Sequence, residues 1–167
     1  MWVKNYMFTK NLHTISPDNT VREAVKKMVE NKSNSLIVTD ENKKPIGILS
    51  SYLLVKAVVP AYLKDDPTYS QYGAEGTFDR YGDIIKDKKV SEVMHEKIHT
   101  LSEDDAMIEA ASYSIEAERR ILPVVNSEGA LIGAVTRTCL KNALYNSLYK
   151  EKQINPENGG ACGCGKG

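Results

Sequence analysis

The chain predicts an α+β fold made of two β-α-β-β-α repeats, packed sheet to sheet with pseudo-twofold symmetry. Three observations carry that expectation. First, 167 residues at 41% hydrophobic and 26% charged suit one compact domain or two small repeated ones, and are too apolar for a disordered chain. Second, sliding the chain on itself by 86 positions aligns residues 13–54 with 99–140 without a gap. Third, both copies change hydrophobic period in the same order, from extended to helical, then to a hairpin, then to helical again.

Twelve of the 42 aligned pairs are identical, among them His13/His99, Thr14/Thr100, Asp18/Asp104, Leu36/Leu122, Val38/Val124 and Gly47/Gly133. Roughly one in fifteen is expected by chance, so this is a duplication. Upstream, Val3/Val90 and Met7/Met94 continue the match with one extra residue in the first copy.

His13-Thr14-Ile15 reads as a short strand and Ser16-Pro17-Asp18 as turn chemistry. Thr20 and Glu23 form a capping-box pattern. They open a helix whose apolar face is Val21, Ala24, Val25, Met28 and Val29. Met107, Ala110, Ala111 and Ile115 stand at the matching points, although Ala106 cannot cap as Thr20 does. Leu36 to Thr39, the turn 40–44 and Pro45 to Leu49 read as a hairpin, repeated at 122–135. Leu53, Leu54, Ala57 and Val58, and then Leu140, Ala143, Leu144 and Leu148, return to helical spacing. The first two strands of each copy should be parallel, joined by a right-handed helical crossover. A unit of about 50 residues sits near the lower limit for independent stability, so the copies should share an interior. The expected divisions are repeat 1 (1–60), an aromatic-rich connecting insert (61–89), repeat 2 (90–150) and a flexible Gly/Cys tail (151–167).

Lys and Arg number 22 and so do Asp and Glu, which leaves no field for holding nucleic acid. No apolar run is long enough to span a membrane, and Met1 to Asn5 contain no apolar signal core, so a cytoplasmic protein is expected. Three cysteines do not make a disulfide framework. No nucleophile motif, phosphate loop or metalloprotease helix is present, and an enzyme is not expected. No cofactor is required.

Thr14 to Asp18, the amphipathic helix, Leu122-Pro123-Val124-Val125, the polar turn, Leu131 to Thr136 and the closing helix resemble, in that order, the CBS (cystathionine-β-synthase) domain. Two in tandem resemble the CBS pair, or Bateman module, over about residues 3–60 and 90–149. The resemblance implies a regulatory module that binds an adenosyl ligand (AMP, ADP, ATP or S-adenosylmethionine) in clefts between the repeats. It also implies a homodimer that signals to an unidentified partner protein. Carried over by residue, one cleft would use Ser50, facing Thr100, Leu101, Arg119, Arg120, Ile121 and Pro123. The other would use Thr136 and Arg137, facing Thr14, Ile15, Ser33, Asn34, Ser35 and Ile37. Ile15, Ile37, Leu101 and Ile121 would sandwich a purine. Ser50 and Thr136 stand at helix starts that favour phosphate.

One departure bears on affinity. The family's ribose-binding Asp falls on Leu53 and Cys139. Losing a hydrogen bond to a charged group costs about 1.5–3 kcal/mol, roughly ten- to a hundredfold in affinity. That loss keeps a ligand-free, dimeric interaction scaffold open as the alternative. A redox or metal role rests only on Cys162 and Cys164, two ligands where a tetrahedral site needs four.

Overall fold

The computed structural model describes residues 1–65, 68, 76–116 and 120–149. After a short 3-10 turn at Val3–Asn5, the first copy runs β1 (Thr14–Ile15), α1 (Val21–Glu30), β2 (Ser35–Thr39), β3 (Pro45–Ser50) and α2 (Ser51–Val58). The connection holds α3 (Ala61–Asp65) and α4 (Thr77–Ile85), and α5 (Val90–Val93) follows. The second copy is β4 (Leu101–Ser102), α6 (Met107–Glu116), β5 (Ile121–Val125), β6 (Leu131–Thr136) and α7 (Arg137–Leu148). Each copy makes a three-stranded sheet, β1-β2-β3 or β4-β5-β6, whose first pair is parallel and second antiparallel. This is the expected β-α-β-β-α unit, made twice.

The capping box at α1 forms as the sequence predicts. Thr20 accepts the Glu23 N–H, and the Glu23 carboxylate accepts from Thr20 and Asn19, which holds its pKa below the ordinary glutamate value.

Strand alternation then sorts the side chains into two layers. Leu36, Val38 and Leu49 face α1 and α2 in one core, while Leu122, Val124 and Val135 face α6 and α7 in the other. Between them along the strands lie Ile37, Ile48, Pro123 and Ala134, buried too but outside both helix-side cores. A strand buried on both faces needs a cover on each. Here the second cover is the opposite sheet, and the hairpin turns meet at its edge through a Leu131 N–H to Lys43 carbonyl bond of 3.0 Å.

The leading segments are exchanged between copies. Val3 and Tyr6 belong to the core of the second copy, and Val90 to that of the first. The bonding is matched position by position. Val3 N–H reaches the Asp105 carbonyl as Val90 N–H reaches that of Asn19, each at 2.8 Å. Phe8 pairs with Ala134 on β6 as His95 pairs with Ile48 on β3. The exchange thus keeps one register in both copies, and the one-residue offset falls in the link to the first strand, Phe8 to His13 against His95 to His99.

Two prolines break the symmetry because neither can donate a backbone N–H. Ile37 donates its N–H to the His13 carbonyl at 2.9 Å. Its counterpart Pro123 has no N–H, and β4 starts one position later than β1 in the aligned frame. Likewise Leu131 bonds Lys43, whereas Pro45 cannot return the bond to Gly129.

The helices depart from the expected apolar faces. Val21, Ala24 and Met28 are buried, but Val25 is 42% exposed and Val29 72%. In the second copy Met107 and Ala110 are buried while Ile115, Leu144 and Leu148 are exposed. Each sheet is only three strands wide and covers part of a broad apolar stripe, so the remainder faces outward. Within the insert, α4 packs Tyr81 and Ile85 on the first core. Tyr69, Tyr72, Arg119 and the tail with Cys162 and Cys164 lie outside the described residues.

Candidate functional site

Alternation also decides which of the anticipated ligand residues share a face. Ile15 lies in the first helix-side core, so Thr14 points the other way, onto the inner face, whereas Thr100 is exposed and precedes β4. Ile37, Ser35 and Ser50 share that face in the first sheet, and Ile121, Pro123 and Thr136 share it in the second. The register completes the arrangement: Thr14 pairs with Ile37 and Ile37 with Ile48, while Ser35 pairs with Ser50. In the second sheet Ile121 pairs with Thr136 and Pro123 with Ala134. Ile48 and Ala134 thus belong to the inner faces although the sequence reading did not single them out; the period-two pattern of β3 and β6 was the available signal.

Of the four apolar side chains expected to flank a purine, Ile15 and Leu101 are buried in the helix-side cores, away from the inner faces, while Ile37, buried, and Ile121, partly exposed, lie on those faces. Arg120 is exposed directly before Ile121. Arg137 lines an open groove of about 390 Å³ between α6 and α7, with Ala111, Ser114, Ile115 and Leu140.

Both helix-start hydroxyls are engaged locally. Ser50 Oγ accepts the Leu53 N–H at 3.3 Å and caps α2. Thr136 is buried, makes no such cap, and sits 3.5 Å from Cys139 Sγ. The first N–H groups of α7 are therefore left without a side-chain acceptor from Thr136, at the end of the inner face. Leu53 has no polar atom and Cys139 only a thiol, so neither offers an oxygen to a ribose, and they pack against the first core and inside the second. Beside Ser50, the Ser51 N–H bonds the Asn34 carbonyl and the Ser33 hydroxyl bonds the Ser35 carbonyl. These bonds tie the start of β2 to the end of β3.

Two duplicated sheets, roofed by helices outside and joined across their inner faces with polar residues at the strand ends, define a tandem CBS pair. The chain belongs to the CBS-domain family, whose model matches residues 3–60 and 90–146. It is 28% identical over 136 residues to the CBS domain-containing protein CBSX1, chloroplastic, of Arabidopsis thaliana, covering 77% of this chain and 57% of that protein. The chain thus spans little more than half the length of that curated relative. The crystal structure of CBSX2 in complex with AMP superposes with a TM-score of 0.66 at 27% identity, covering 88% of this chain and 98% of that one. CBSX2 is also from Arabidopsis thaliana. A CBS domain-containing protein from Kribbella flavida gives a TM-score of 0.69 at 24% identity, covering 87% and 99%, and supports the fold alone. No helix among the described residues is long and apolar enough to cross a membrane.

Proposed function

We propose that the chain is a non-catalytic regulatory module that binds an adenosyl ligand between the inner faces of its two sheets, works as a homodimer, and signals to a partner protein. What supports this reading is the shared inner-face register of Thr14, Ser35, Ser50, Ile121 and Thr136, on a fold whose relative CBSX2 was solved with AMP. Helix starts at Ser51 and Arg137 favour a phosphate there, and Arg120 adds a charge-assisted donor. The ligand acts through its different affinity for two arrangements of the copies. The exchanged leading segments tie each copy to the other and so convey a change in their angle. Calorimetry with AMP, ADP, ATP and S-adenosylmethionine tests this. Saturable binding that weakens about tenfold or more in Arg120→Ala supports it; no heat with any of them at millimolar concentration defeats it.

A second reading is favoured by Leu53 and Cys139, whose side chains remove the ribose acceptor from both copies. On that reading the pair is a ligand-free scaffold, and exposed Phe78 on α4 belongs to a contact with another protein. Deleting the insert helix would then abolish partner capture while nucleotide has no effect.

A further inference from the structure

We propose that Lys27 is the phosphate-recognising cation of the cleft built on Thr14, Ser33, Ser35 and Ile37, so that this cleft selects phosphorylated adenosyl ligands. The inference rests on the adenosyl-binding reading above. In a parallel pair, alternate carbonyls turn toward the neighbouring strand. The His13 carbonyl accepts from Ile37, so the next one, that of Thr14, faces the free edge of β1. Lys27, on α1, reaches round this edge and donates a hydrogen bond to the Thr14 carbonyl. Its side chain is half-buried, and that carbonyl is its partner among the described residues.

An ammonium has three donors and one full charge. A single neutral acceptor leaves the charge uncompensated, and a half-buried cation without a counter-anion is an arrangement that an anionic ligand relieves. Phosphate oxygens match it as point-charge acceptors. The duplication shows that the fold does not require this lysine. The matching position is Tyr113, whose ring stacks on His99 with centroids 3.3 Å apart. Ser33 and Asn34 stand where the second copy has Arg119 and Arg120, and Lys27 supplies the positive charge that those positions lack. The two clefts are therefore chemically different.

Titration of the full chain with AMP and with adenosine, followed by calorimetry, tests the assignment. Lys27→Met is expected to weaken AMP binding at one site about tenfold or more, leaving adenosine within about twofold. Lys27→Arg should hold AMP close to wild type. A Lys27→Met chain that binds AMP like wild type overturns the proposal, as does one that loses AMP and adenosine alike or is not rescued by arginine. If the wild-type chain takes up neither probe, the adenosyl reading itself fails and this assignment goes with it.

Discussion

Gly47 and Gly133 occupy matched places in β3 and β6, and each lies under the segment exchanged from the other copy. A Cβ on Gly133 would stand 2.9 Å from Met7 Sδ and 3.1 Å from the Phe8 carbonyl oxygen. On Gly47 it would stand 2.5 Å from Met94 Sδ and 3.2 Å from the His95 carbonyl. The methionine tips can move, but the carbonyls are held by paired bonds to Ala134 and Ile48. Gly133→Ala is expected to lower stability by about 1–3 kcal/mol, the usual cost of overpacking, as read from urea unfolding. Gly82, where an added Cβ meets nothing within 4 Å, serves as the control: in a helix interior, alanine there should be neutral or mildly stabilising. The repeat alignment marks both strand glycines as identical. It holds no reason for them, because the neighbour that forbids a side chain arrives from the other end of the duplication.

At the scale of elements, α1 and the hairpins were legible because their signals are local: a capping box, a period of 3.6 and a turn between two apolar runs. The short segments Val3–Asn5 and Val90–Val93 carry too few residues for any period to declare where they pack. Val3 is fully buried in the second core although the first copy follows it in sequence. Val3→Ala is therefore expected to cost about 1–3 kcal/mol. Hydrogen exchange should show the loss of protection in β4 to α7 more than in β1 to α2. A loss confined to the first copy would contradict the exchange. The ion pairs that follow the same path, Lys4 with Asp104 at 2.7 Å and Lys89 with Asp18 at 2.8 Å, are solvent-exposed. They contribute little beside the buried valine.

Across the whole molecule, the helical surfaces of both copies expose apolar side chains that the cores do not use. Val25 and Val29 on α1, Tyr52 and Val55 on α2, and Ile108, Ile115, Leu144 and Leu148 on α6 and α7 are all exposed. Because the duplication presents such a surface twice, a twofold pairing of copies would cover both at once. On the proposed homodimer, Ile115→Asp should shift the chain to monomer in sedimentation equilibrium, with an unchanged far-UV spectrum. A variant that sediments as the wild type does would exclude this face as the interface.

The amino-acid order alone determined the duplication, the β-α-β-β-α unit, the parallel and antiparallel pairings and the residues at the strand ends, since the elements rest on local side-chain patterns and the duplication on those patterns recurring 86 positions on. Tertiary structure alone decided which repeat each leading segment completes, and which helical valines and leucines stay outside. It also placed Leu53 and Cys139 against the cores and brought Lys27 to the edge of β1. Those outcomes depend on surfaces that meet only after the two copies have folded against one another, and no local pattern of side chains records that meeting.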